Sequence, residues 1–495
     1  METSVLLLVC LFSAAVFIFK AKLSSPLRDI PGPKSKSFVL GHLRELLQQP
    51  AGLAELEWQR IYGDIVRIKA SFGSEQLLVA DPKALQHILC SGYKWRRSPV
   101  RREMGRLTSG KGLAWADGET HKRHRKLMIP GFRASETKHF VPIFFACAEA
   151  MSTEWKKTIS KSDEKSQVFD FTDHLSHATL DAIGLAAFDY DFGSIHNHEN
   201  ELAKAYQGLT AKAFRAPSNM GLLVLDLFKH VPSTVMEFMN DHNPRLKPLH
   251  HVARVGNDVA KQLIAQKVEE IEQGTPNKDI YTTLELARNP TLQDKLRAEI
   301  KSTERKIKDR GQSEFTLHDL EAMPLLNAMC KETLRYYPIA IHLFRTANED
   351  DVIPLLKPMI GTTGKVITDI AVPKGTQIVG SPQLYNRNPE IFGEDASEFN
   401  TDRWIEGRIK TEDTLGMPYA NLATFAAGSR SCIGWRFAVA ELQTFIVVLL
   451  RNFSIETTPK LAKIRRESAL TMVPVIEGEL DKGTQLPLRV YLVAE

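Results

Sequence analysis

Near the C-terminal end of the chain, the stretch TFAAGSRSCIGWRF (424–437) gathers Phe425, Gly428, Arg430, Cys432 and Gly434 within ten residues. A thiolate that faces a metal needs cations and backbone N–H groups around it to stay deprotonated. Glycines allow the sharp turn and the close backbone approach. A helix opening after Gly434 would bring the positive end of its dipole to the sulfur. Phe425 suits packing on a flat apolar ligand, and Arg430 suits a carboxylate at that ligand's edge. A haem iron held by one thiolate meets all of these needs together. Zinc would want further Cys or His ligands nearby. The chain has only five cysteines, Cys10, Cys90, Cys147, Cys330 and Cys432, and no C-x-x-C. Taken alone, Cys432 would read as a small buried hydrophobe; its neighbours change that reading.

Two other groups stand at chemically useful spacings. Glu332 and Arg335 lie i, i+3 on a helical stretch ending at Pro338, so they can form one ion-pair unit. His121 and Arg125 lie one turn apart in GETHKRHRKLMIPGF, with Lys122, Arg123, His124 and Lys126 forming a basic face between and beside them.

The elements that must hold these residues are mostly helical. Leu53–Tyr62 is a helix candidate, and GDIVRIKASFGSEQLLVADP reads as a hairpin turning at residues 71–74. Asp81-Pro82 opens a helix toward Leu89. From 134 to 273 the pattern is mostly helical, and it continues through TLQDKLRAEIKSTERKI and LHDLEAMPLLNAMCKETLRYY. KVITDIAVPKGTQIVG and LPLRVYLV are strand-like, and RFAVAELQTFIVVLLRNF follows the cysteine stretch as a helix. The 495 residues are 43% hydrophobic and 25% charged with a net charge of +5. That balance is globular and too weakly basic to argue for nucleic acid. The odd cysteine count opposes a disulfide scaffold and fits a reducing compartment. At the N-terminus, Val5–Phe19 is apolar except for one serine and spans about 22 Å as a helix. Lys20 and Lys22 follow it and would keep the rest of the chain cytoplasmic. Residues 1–22 are therefore expected to be a retained membrane anchor, and 23–35, with Pro31-Gly32-Pro33, a stiff hinge.

The cysteine stretch resembles the cysteine loop of the cytochrome P-450 superfamily, the haem-thiolate monooxygenases, in its membrane-bound eukaryotic, fungal style. The resemblance implies a mainly α fold with small peripheral β-sheets over residues 36–495. It implies haem b (Fe-protoporphyrin IX) with Cys432 as the iron ligand and Phe425, Gly428, Arg430 and Gly434 around it. By the same resemblance, His121, Arg125 and Arg345 would face the haem propionates. Arg403 from FNTDRW would join Glu332 and Arg335 in a structural ion-pair trio. The implied partners are an NADPH-dependent diflavin reductase docking on the basic face, membrane lipid of the endoplasmic reticulum, and a small lipophilic substrate, terpenoid-like and of secondary metabolism. Lining segments implied for it are LTSGKGLAWADG, APSNMGLLVLDLF, IHLF and ALTMVP.

One expected element is missing. Members carry a long distal helix with a small residue, Gly, any residue, an acid and then Thr. Here Thr275 falls near the expected distance before ARNP but is followed by Pro276, which breaks a helix interior. Thr282 and Thr283 sit too close to Asn289-Pro290. No distal catalytic residue is assigned, and the reading is of a missing segment with its seam near Ile280 and Tyr281. Two alternatives accompany this: a reductase-independent haem-thiolate isomerase or dehydratase, and an inactive remnant.

Overall fold

The helix that follows the cysteine stretch is apolar on every side, and a helix of that kind belongs in the middle of a fold. In the computed structural model, which describes residues 25–196, 217–266, 280–410, 416–468 and 471–493, it runs Trp435–Asn452 and is buried continuously from Phe437 to Leu450. Helices of nine residues or more are numbered in chain order. They are α1 Leu53–Tyr62, α2 Pro82–Cys90, α3 Pro99–Ser109, α4 Gly118–Met128, α5 Ala134–Ser160, α6 Phe171–Phe188 and α7 Asn219–Leu227. After these come α8 Ser233–Asp241, α9 Lys247–Gln266, α10 Ile280–Arg288, α11 Pro290–Asp309, α12 Pro324–Tyr336 and α13 Trp435–Asn452. The central α13 packs along α5, where the Phe437 ring meets Phe144 edge-on at 4.7 Å and Phe140 at 5.5 Å. Further along α5, Trp155 stacks on Phe169 at 4.5 Å and 7°.

The main sheet lies at the periphery, as expected for a mainly α chain. Its strands are β1 Ile65–Lys69, β2 Glu75–Val79, β3 Trp95–Arg97, β4 Leu343–Ala347 and β5 Gln377–Gly380, in the order β1-β2-β5-β4-β3. All pairs are antiparallel except β2 with β5. The hairpin between β1 and β2 turns where the sequence places it, with Phe72 at φ 55°. Helix α2 starts at Pro82, and Asp81 caps it by accepting from the Ala84 N–H at 2.8 Å.

Three features depart from the sequence reading. The helical span 134–273 is interrupted by a strand, Ser166–Asp170, which pairs with the C-terminal strand Pro487–Leu492. The stretch LHDLEAMPLLNAMCKETLRYY is two helices, Leu317–Glu321 and α12, because Met323 is extended and Pro324 starts a new first turn. Strands β3 and β4 are not marked by any alternation; β3 is three residues, two of them arginine. The expected anchor 1–22 and residues 275–278 lie outside the described residues. Among those described, no helix is long and apolar enough to cross a membrane.

Candidate functional site

The cysteine stretch is a tight turn fastened at both ends. Cys432 donates its backbone N–H to the Phe425 carbonyl at 2.8 Å, and Ser431 donates to Gly428 at 3.1 Å. Gly428 sits at φ 68°, and a Cβ there would collide with the Leu89 carbonyl at the end of α2. Both constraints leave glycine as the residue that fits. Gly434 is the N-cap of α13 and lies against Phe132, so the sulfur-bearing residue sits at the positive end of a long buried helix. Cys432 is part-buried and Phe425 fully buried, beside Tyr419 and Trp435. Arg125 reaches over from α4 and clamps the turn, donating to the Ser431 carbonyl at 2.8 Å and to its hydroxyl at 3.1 Å. Burial pulls the Arg125 guanidinium below its usual value, and the Cys432 sulfur opposes that shift.

Around this turn the fold buries more positive charge than it balances. Arg97 on β3 and Arg345 on β4 are directly opposite in register, so their side chains share a face. Burial first, then Arg97 and Arg430, lower Arg345 to about 9; Arg97 falls to about 10 through burial and Arg430. Arg430 bonds the Asp117 carboxylate and the Ala116 carbonyl, and its Nε is buried without a partner. Asp117 is the one acid that acts on all three arginines, and it also caps α4 through the Gly118 N–H. His121, 1% exposed, hydrogen-bonds the Tyr93 hydroxyl at 2.7 Å. Burial first, then Arg430, Arg97 and Arg125, lower its pKa to about 4, so it is neutral at physiological pH.

Below the turn lies the trio of Glu332, Arg335 and Arg403, all three buried. Arg335 holds Glu332 by two bonds, Nε to Oε2 at 2.8 Å and Nη2 to Oε1 at 2.7 Å. Arg403 Nε donates to Glu332 Oε1 at 3.2 Å, and the Trp404 indole and the Asn400 N–H also donate to this carboxylate. Arg335 then donates to the carbonyls of Asn386, Ala396 and Glu398. The link upward is Asn386: its amide donates to the Arg335 carbonyl and to Thr424 Oγ1, and its oxygen accepts from the Ala423 N–H. Thr424 in turn donates to the Leu334 carbonyl at 2.6 Å. The trio is thus wired to the first residues of the cysteine stretch.

The structure therefore brings His121, Arg125, Arg345, Phe425, Gly428, Arg430, Cys432 and Gly434 into one region, and joins Glu332, Arg335 and Arg403 beneath it. Sequence reasoning missed Tyr93, Arg97, Asp117 and Asn386. Arg97 had no signal of its own, since only the pairing of β3 with β4 gives it meaning. Asp117, a polar residue just before a basic helix, was readable as an N-cap.

The cytochrome P450 family model matches residues 31–278 and 280–477. The chain belongs to the cytochrome P450 family. It is 30% identical over 503 residues to cytochrome P450 monooxygenase 91 of Postia placenta, covering 90% of each protein. It is 29% identical over 529 residues to monooxygenase 205 of the same fungus, covering 97% of this chain and 96% of the relative. It is 28% identical over 522 residues to cytochrome P450 monooxygenase claO of Ampulloclitocybe clavipes, covering 95% and 94%. The P450 chain is thus an oxidoreductase of the monooxygenase type, of fungal style, whose cofactor is haem, whose substrate is a small molecule and which takes electrons from a reductase. The residues fit that cofactor: the unpartnered Arg430 Nε and the under-balanced arginines call for an anion with more than one carboxylate, beside a flat apolar body.

Two outcomes follow. Replacing Glu332 by Ala leaves two buried guanidinium groups without their shared carboxylate, and unfolding in urea should show a loss of about 3–5 kcal/mol; a near-native value would mean the trio is not coupled. For His121, the unfolded chain takes up a proton below about pH 6.5 that the folded chain refuses until about pH 4. The wild type should therefore lose stability relative to His121→Asn as the pH falls from neutral to about 5, and parallel curves would contradict this.

Proposed function

We propose that this P450 inserts one oxygen atom of O2 into a lipophilic small molecule of secondary metabolism, terpenoid in character, with Cys432 as the iron ligand. The observation that carries the reading is a single thiol, at the mouth of a buried helix, beneath buried arginines that share one carboxylate. Haem bound through a thiolate supplies O2 activation. The remaining work falls to the chain. Arg125, bound to Ser431, and the positive end of α13 place positive charge beside the residue that would ligate the iron. Arg97, Arg345 and Arg430 would give charged hydrogen bonds to the cofactor's carboxylates, and neutral His121, oriented by Tyr93, would add an uncharged one. Phe425, buried beside Tyr419 and Trp435, would pack on the flat apolar face. The trio of Glu332, Arg335 and Arg403 holds the turn through Asn386.

The partner reading is a diflavin reductase that uses NADPH. Helix α4 carries Arg125 inward and exposes Lys122, Arg123, Lys126 and Leu127 outward, Leu127 at 73%. An apolar residue ringed by cations, on the side of the sulfur, suits an acidic donor surface. Residues 1–22 are read as an anchor in the endoplasmic reticulum membrane and 23–35 as its hinge, leaving 36–495 as the cytoplasmic catalytic domain.

The proposal also includes an internal deletion near residue 280. Two findings support it. The family match breaks at residue 279, and the alignments to two relatives, 529 and 522 positions, are longer than the 495-residue chain. Relatives thus carry positions for which this chain has no residue. The distal groups that handle the proton are assigned to that segment and to none of the residues present.

The test is a carbon-monoxide difference spectrum on this chain, on a form with the gene's intervening segment restored, and on Cys432→Ser in each. The restored form should give the red-shifted thiolate band and oxidise substrate with NADPH and reductase, and Cys432→Ser should abolish the band. A band that survives Cys432→Ser overturns the ligand assignment, and an uninterrupted genomic coding sequence across residues 275–285 overturns the deletion.

A further inference from the structure

The one-turn helix Asp402–Ile405 carries Arg403 into the ion-pair trio, and its next two residues, Trp404 and Ile405, line a recess against α12. The recess measures about 420 Å³, within the range of small-molecule sites. One wall is a single stripe of α12. Pro324, Asn327, Ala328 and Lys331 stand at i, i+3, i+4 and i+7, so they share a face. Glu321, the last residue of the short helix Leu317–Glu321, and Ala322 complete the lining.

Most of this lining is apolar or already satisfied. The Asn327 amide donates to the carbonyls of Leu320, Glu321 and Met323, and its oxygen accepts from Gln443 at 2.8 Å. The N–H groups of Leu325 and Leu326, in the first turn of α12, are taken by the Glu299 carboxylate. Two charges of opposite sign are left over. Among the described residues, Lys331 meets no carboxylate and no hydrogen-bond acceptor; its Nζ lies 5.8 Å from the centre of the Trp404 ring. The Glu321 carboxylate meets no cation and no donor there either. Both residues line the recess, yet they do not pair with each other. Lys331 is half-buried, and burial pulls its ammonium below the usual value with only Cys330 opposing.

This pattern selects among occupants. A purely apolar molecule would strip water from both charges and answer neither. An anion would answer Lys331 and be repelled by Glu321, and a cation the reverse. A molecule that carries both charges answers both through charge-assisted hydrogen bonds. Its apolar part has Trp404, Ala328 and Ile405 to rest on, Ile405 being 51% exposed.

We propose that this recess binds an amino acid with an apolar side chain as its zwitterion, carboxylate to Lys331 and ammonium to Glu321. None of the lining residues belongs to the set around Cys432. The recess adjoins the trio through Trp404, whose indole donates to Glu332 at 2.8 Å.

The experiment is isothermal titration of the full chain with L-phenylalanine, with 3-phenylpropanoate, which lacks the amine, and with phenethylamine, which lacks the carboxylate. It is run on the wild type, Lys331→Gln, Lys331→Arg, Glu321→Gln and Lys301→Gln, the last an exposed lysine of α11 outside the recess. The wild type should bind L-phenylalanine about tenfold or more tightly than either analogue. Lys331→Gln should bind it no better than the wild type binds phenethylamine. Glu321→Gln should bind it no better than the wild type binds 3-phenylpropanoate. Lys331→Arg and Lys301→Gln should keep the preference. The proposal is overturned if the wild type does not bind L-phenylalanine or does not prefer it to both analogues. It is equally overturned by a preference kept in either charge-removing variant or lost in either control. Glu321 is exposed, so its variant decides the matter even if Lys331→Gln, next to Glu332, does not fold. The titration needs no haem, so its failure leaves the haem reading standing, and an absent carbon-monoxide band leaves this one standing.

Discussion

Three guanidinium groups from three distant parts of the chain, two buried and one half-buried, stand within reach of one carboxylate, and the rest of the site is arranged around that imbalance. Arg97 and Arg345 are neighbours because β3 pairs with β4, and Arg430 joins them from the cysteine turn. Asp117 cannot balance all three while it caps α4. Buried charge of one sign is strongly unfavourable unless something answers it. The two carboxylates of haem are the answer the family supplies, and they would stand where the sheet edge, α4 and the turn before α13 meet. On this account the cofactor also completes the fold, since it neutralises a junction that the polypeptide leaves positive.

The same junction explains why the turn needs support from below. A metal ligand at the end of α13 would have to be held against repositioning, and the turn's own two backbone bonds are reinforced from below. Glu332 gathers Arg335 and Arg403, Arg335 fixes Asn386, and Asn386 takes both Ala423 and Thr424. A buried trio of this kind contributes little as an isolated ion pair, because desolvation offsets attraction. Its value here is geometric: it transmits the position of α12 to the residues that precede the cysteine. Gly428, pressed on the end of α2, fixes the turn from the opposite side.

The parts of the site that were legible in the sequence are those whose meaning is local. Gly428 and Gly434 announce a turn and a helix start, Cys432 and Arg430 bring the chemistry, and Glu332 with Arg335 follow helical spacing. Asp81 before Pro82 marks a helix start and the structure places it there. What was not legible depends on partners far away in the chain. Arg97 is one of five arginines in a short run, and its role arises only from a three-residue strand pairing with β4. Tyr93 matters because His121 lies against it, and Asn386 because two distant segments meet at its amide. Pro324 split a helix that periodicity ran together, and Ser166–Asp170 became a strand because the C-terminal strand was there to pair with it.

The central claim is that the sulfur of Cys432 is bonded to the haem iron. Resonance Raman spectra of the oxidised protein, prepared with natural and with sulfur-34 cysteine, test it directly. An iron–sulfur stretching band should move to lower frequency with the heavier isotope and vanish in Cys432→Ser. A band that does not move, or that persists in the variant, would contradict it.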